Sequence, residues 1–188
     1  VAAVDPHRRL EGLIVPGLYN VRPQAPAAEV LRELLARSGE LIESAGLVSG
    51  ARAIGADPYD VLIIASLVEK EGIVPDMPRV ARVIYNRLGV GQRLELDSTV
   101  NYPLERQTLL TSPEDRARVG PYNSYAVPGL PPTPISAPGR EAIAAALEPE
   151  EGPWFYFVRC RTDGSSCFAV SHEEPLANVR QARANGAI

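Results

Sequence analysis

Two acids, Glu69 and Glu71, stand where an almost unbroken apolar stretch ends. In DPYDVLIIASLVEKEG (57–72) only Ser66 is polar between Val61 and Val68. An acid at the rim of a buried surface can serve as a proton donor. Low dielectric and the carboxyl-terminal end of a helix dipole both favour the neutral form of a carboxyl group. Leu62, Ser66 and Glu69 fall on one face of a helix, so Glu69 continues a largely buried surface. The pattern equally fits a solvated helix-end acid paired with Lys70 or a nearby arginine, because ion pairs perturb such groups too.

Positioning these acids requires a helix, and its signals are all present. Asp57 suits the N-cap, Pro58 the first helical position, and Asp60 the positive end of the dipole. Gly72 reads as the stop. A helix apolar on nearly every side belongs at the centre of a core, and this one is too short to span a membrane.

The flanking elements follow from their periodicity. Val30, Leu31, Leu34 and Leu35 predict an amphipathic helix over 26–37, and a second is predicted over 40–47 near Gly46 and Gly50. Asp76-Met-Pro-Arg opens a helix with Val80, Val83, Ile84 and Leu88 inward and Gly89 as its stop. EGLIVPGLYNV at 11–21 reads as a strand and turn leading into the domain, with Glu11 a candidate site residue. Ser112-Pro113 starts a short helix, and another follows Ser136 in APGREAIAAALEP. A hairpin is expected over 154–171 and a closing helix over 173–185. Between 89 and 136 the chain is dense in Gly, Pro, Ser, Thr and Tyr, which inside a compact domain marks a binding surface. Residues 1–25 are read as a leading segment and 26–188 as one domain.

A net charge of −4 provides no basic field for a phosphate backbone, which argues against nucleic acid as the main partner. No phosphate-cradling glycine loop and no HExxH motif occur. Two histidines, His7 and His172, do not support a Ser-His-Asp triad. No metal site and no cofactor are expected. Cys160 and Cys167 flank the turn RTDGSS, where paired strands would set the sulfurs face to face. A disulfide there would indicate an oxidising compartment, and two reduced hairpin cysteines are the alternative. Tyr122 and Tyr125 offer flat faces and neutral hydrogen bonds suited to a glycan, or else simple loop packing. The opening VAAVDPHRR suggests a piece of a longer protein whose targeting segment lies elsewhere.

Five segments in fixed order carry a family resemblance: EGLIVPGLYNV (11–21), IIASLVEKEG (63–72), RVARVIYNRLGVGQRLELDSTVNY (79–102), PYNSYAVPGLPPTPISAPGREAIAAALEP (121–149) and YFV (156–158). Together they resemble the endolytic murein transglycosylases, the YceG-like proteins. The resemblance implies a lyase that cuts nascent peptidoglycan strands internally, between N-acetylmuramic acid and N-acetylglucosamine. The product then carries a 1,6-anhydro-muramyl end, and the first glutamate of EKE, Glu69, is the catalytic residue. It further implies an N-terminal membrane helix and a LysM-like module ahead of this domain. The expected location is the extracytoplasmic face of the bacterial cytoplasmic membrane, with peptidoglycan synthases as partners.

Glu71, Asn86, Asp97, Thr99, Tyr122, Asn123 and Tyr125 match motif positions expected to bind substrate or support the site. Glu95 stands where the family usually has glutamine, and Glu174-Pro175-Leu176 replaces a common Glu-His-Asn, so His172 inherits no role. Two other readings stay open: a glycan hydrolase in which Asp97 or Glu71 directs water, and a non-catalytic peptidoglycan-binding scaffold. The expected fold is α+β and helix-rich, with a small antiparallel sheet and a long irregular groove wall. An all-α lysozyme-like bundle is the alternative.

Overall fold

The computed structural model describes residues 8–106 and 111–171, together with positions 173, 177, 180, 183, 184 and 186. The core packs around the helix Pro58–Glu71 (α3, after α1 at Ala27–Ser44 and α2 at Leu47–Ala53). Asp57 caps it, accepting the Tyr59 N–H at 2.7 Å, and all eight residues from Val61 to Val68 are buried. The helices Met77–Gly89 (α4) and Arg140–Leu147 (α7) and the shorter α2 surround it. Where α2 meets α7, a side chain at Gly50 would come within 2.8 Å of the Leu147 side chain, so glycine lets Leu147 pack there without shifting. Val80, Val83 and Ile84 point inward from α4 as their spacing requires.

Two expectations at the amino-terminal side are corrected. The helices expected over 26–37 and 40–47 are one helix, α1, running through Gly39. A single glycine costs a helix only about 1 kcal/mol relative to alanine, and Gly39 is not a stop. The break comes at Gly46, whose φ of 76° is left-handed. Residues 8–21 contain turns and no strand. Gly12, also at positive φ, lies against Pro134, and the Val15 N–H donates to the buried Ser38 hydroxyl of α1 at 2.9 Å. Packing against α1 and the 134–136 segment takes the place of strand pairing.

Between α4 and α7 the irregular stretch holds two short helices, Asp97–Asn101 (α5) and Pro113–Ala117 (α6). Ser112 and Asp115 form a capping box at the start of α6. Strands Tyr156–Arg159 (β1) and Ser166–Ala169 (β2) pair antiparallel, with Phe157 opposite Phe168 and Arg159 opposite Ser166. Cys160 and Cys167 close the hairpin in a disulfide, their Cα atoms 5.7 Å apart. The expected closing helix lies mostly outside the described residues; its described positions 173, 177, 180, 183 and 184 are helical. His7 and His172 lie outside them as well. The architecture is α+β: a helical core with one small antiparallel sheet. Among the described residues no helix is long and apolar enough to cross a membrane.

Candidate active site

Ser66 and Glu69, one turn apart on α3, are both gripped by the segment 135–139. The buried Ser66 hydroxyl donates to the Ile63 carbonyl at 2.7 Å and accepts the Ile135 N–H at 3.1 Å. The Ser66 carbonyl accepts from the Ser136 hydroxyl at 2.9 Å. One turn further on, Glu69 Oε2 accepts the Gly139 N–H at 2.9 Å. Gly139 is the residue before α7, so the carboxylate rests at that helix's amino end, where negative charge is favoured. A β-carbon at Gly139 would stand 3.4 Å from Glu69 Oε2 and 3.5 Å from a carboxylate oxygen of Glu141. Glu69 is partly exposed, and among the described residues its Oε1 has no hydrogen-bond or ion-pair partner. One carboxylate oxygen is fixed and the other remains available, as a residue that gives and takes a proton requires.

Glu71 belongs to a different neighbourhood, since residues two apart on a helix do not face each other. Its Oε1 accepts from the Ser98 hydroxyl at 2.5 Å and from the Ser98 N–H at 3.4 Å. Burial pushes the Glu71 carboxyl up, against the pull of those Ser98 bonds. Next to Ser98, Asp97 Oδ1 accepts from Tyr125 at 2.7 Å and from Thr111 at 2.6 Å, and its Oδ2 lies 3.4 Å from Arg116. The Arg116 guanidinium sits 5.0 Å from the Tyr125 ring centre. Burial, and then donation to Asp97, hold the Tyr125 hydroxyl firmly protonated. Glu71, Asp97 and Tyr125 are thus brought into one neighbourhood, with Ser98, Thr111 and Arg116 completing it.

The other expected positions spend their polar atoms inside the fold. Thr99 is fully buried, bonding the Leu96 carbonyl at 2.6 Å and Ser124 at 2.7 Å. Tyr122 is buried with its hydroxyl 2.8 Å from Thr133. Asn123 holds the carbonyls of Arg116 (3.0 Å) and Arg118 (2.5 Å) and accepts the Tyr125 N–H. Asn86, on α4, donates to the carbonyls of Gly152 and Trp154 on the approach to the hairpin. These four are joints of the scaffold around the acids. Glu11 accepts from Tyr102 at 3.0 Å, and burial followed by opposing pulls from Arg8 and Glu11 leaves that phenol at about 12. Ser98, Gly139, Arg116 and Thr111 carry no local signal in the sequence that would single them out.

Two cavities flank this region. One of about 190 Å³ is lined mainly by Val100, Leu104, Val119, Pro121 and Tyr122; another of about 440 Å³ lies among Arg79, Trp154, Arg161 and Phe168. Glu69 lines neither. Its setting is an open helix end. No cluster of three or more potential metal ligands occurs among the described residues.

Residues 2–181 match the YceG-like family. The chain belongs to that family. Among its relatives, an endolytic murein transglycosylase of Streptococcus pneumoniae serotype 2 (strain D39) is 28% identical over 179 residues, covering 92% of this chain and 32% of that protein. Another endolytic murein transglycosylase, from Bacillus subtilis (strain 168), is 28% identical over 167 residues, covering 88% of this chain and 46% of that one. The crystal structure of a YceG-like protein from Listeria monocytogenes superposes with a TM-score of 0.82 at 31% identity, covering 89% of this chain and 55% of the other. The chain therefore spans about a third to a half of the length of these relatives.

Proposed function

We propose that this chain is the catalytic part of an endolytic peptidoglycan lytic transglycosylase, with Glu69 as the single acid and base. The carrying observation is the Glu69 carboxylate at the end of a buried helix, one oxygen held by Gly139 and the other without a partner among the described residues. The names of the YceG-like relatives support the substrate class. In the first step Glu69 delivers its proton to the glycosidic oxygen as the bond from the muramyl anomeric carbon breaks. In the second, the muramyl 6-hydroxyl attacks that carbon and its proton returns to Glu69, leaving a 1,6-anhydro ring and a regenerated acid. Glycosidases normally need two carboxylates. Here the second is replaced by a tethered hydroxyl, for which effective molarities can reach about 10⁵ M or more.

Asp97 supports this assignment indirectly: both its oxygens are engaged by Tyr125, Thr111 and Arg116, which leaves it poorly placed to activate water. The disulfide supports action outside the cytoplasm, where such bonds persist. The full-length protein is then anchored at the outer face of the cytoplasmic membrane, working beside peptidoglycan synthases. Glu69→Gln is expected to cut the rate by at least about 10²–10⁴ while keeping the fold. Mass spectrometry of digested glycan strands checks it. Anhydro ends that vanish in the variant support the reading; reducing ends from the unaltered chain, or full activity of the variant, would sink it.

A further inference from the structure

Arg159 is a cation that touches no carboxylate directly among the described residues, although the Glu71 carboxyl feels its charge. It is the last residue of β1 and is partly buried, yet among the described residues its guanidinium makes no hydrogen bond and no ion pair. Among the described residues, Glu71 is bonded by Ser98, Asp97 by Tyr125, Thr111 and Arg116, Asp76 by the Ser166 N–H, and Asp163 by Ser165. A guanidinium that is still partly exposed and holds no carboxylate directly is available to a partner that arrives from outside.

The hairpin register fixes where that partner would bind. Phe157 and Phe168 lie opposite one another and pack against the helical core. Side chains two residues apart on a strand share a face, so Arg159 and Ser166 leave the sheet on the same, helical side. That end of the hairpin abuts the end of α3: Gly164 lies against Ile73, and the Ser166 N–H donates to Asp76 at 2.6 Å. Glu71 is within electrostatic reach of Arg159. The disulfide secures this end of the hairpin.

We infer that Arg159 is a substrate-anchoring, specificity-determining residue that takes a carboxylate carried by the peptide substituent of the glycan strand. This rests on the reading of the chain as acting on peptidoglycan. The guanidinium fork matches a carboxylate in two parallel hydrogen bonds, which a neutral sugar hydroxyl cannot match. An acid-rich helix end would otherwise repel an anionic strand, and one open guanidinium gives that strand a defined register.

The test is the dissociation constant of the 188-residue chain for peptide-bearing glycan strands, measured with free stem carboxylates and with the same carboxylates converted to amides. Amidation is expected to weaken binding of the unaltered chain about tenfold. Arg159→Gln is expected to bind both substrates with the weaker constant, and Arg159→Lys to fall between. Thermal melts check that the variants are folded. Arg159→Gln retaining the preference for free carboxylates, or no preference in the unaltered chain, overturns the proposal. Anhydro products are scored in parallel. Carboxylate preference without anhydro product would sink the catalytic reading and leave Arg159 its role; product without preference would do the reverse.

Discussion

At the scale of single residues, the two acids of Glu-Lys-Glu have divided their labour by direction. Glu69 turns to Gly139 at the amino end of α7; Glu71, equally half-buried, turns to Ser98 and the Asp97–Tyr125 neighbourhood. Burial raises the folded-state titration of Glu71 above that of the unfolded chain. In the window between the two values the folded state therefore holds a proton that the unfolded chain has released. The stability this contributes is present below the ordinary carboxylate range and is lost as pH rises through the raised value. Glu71→Gln keeps an acceptor for Ser98 and removes the charge. It is expected to raise the melting temperature at pH 7, with the gain fading below about pH 4. Melting curves across pH decide this. A destabilised variant at pH 7 would mean that the Glu71 charge is needed where it sits.

At the scale of elements, the site depends on a strap, 135–139, laid along α3 by hydrogen bonds bridging about seventy residues of sequence. Ser66 is its first fastening, and Ser66→Ala would leave the buried Ile135 N–H without an acceptor. That should cost about 1–3 kcal/mol, read from urea unfolding. Because Gly139 belongs to the same strap, anhydro-product formation should fall as well, although Glu69 is untouched. Loss of stability with undiminished turnover would separate the strap from the chemistry. Such long-range fastening explains what was legible in the sequence. Asp57-Pro58, the apolar run and Gly72 outline α3, and the inward stripe outlines α4, because both signals are local. The grip of Gly139 on Glu69 has no local signature. Likewise Asn86, Thr99, Tyr122 and Asn123 stand out as motif positions, but only tertiary contacts show that they face scaffold atoms. The leading segment misleads as a strand because its apolar residues find α1 and Pro134 instead of a partner strand.

At the scale of the whole molecule, a two-stranded hairpin is attached to a helical core that it could not replace. Isolated hairpins are marginal in water, so this one must borrow stability. Much of that comes from α4. Arg82 and Asn86 hold the carbonyls of residues 149–154, and the buried Arg87 holds those of Phe155 at 2.6 Å and Leu94 at 2.5 Å. Phe157 and Phe168 add packing against the core, and a further part comes from the disulfide at the opposite end, where cysteines seven residues apart in sequence are joined. Closing so short a loop restricts the unfolded chain by about 2.5 kcal/mol in the entropic account. Replacing both cysteines by serine is expected to lower unfolding stability by up to that amount, as dithiothreitol would in the unaltered chain. The loss should be local. Amide exchange would quicken over 156–169 while the core of α3 stays protected, because the Ser66, Glu69 and Arg87 fastenings do not pass through the sulfurs. Turnover of strands stripped of their peptides should then persist. Faster exchange throughout α3 would instead show that hairpin and core unfold as one unit, making the disulfide a clamp on the catalytic helix itself.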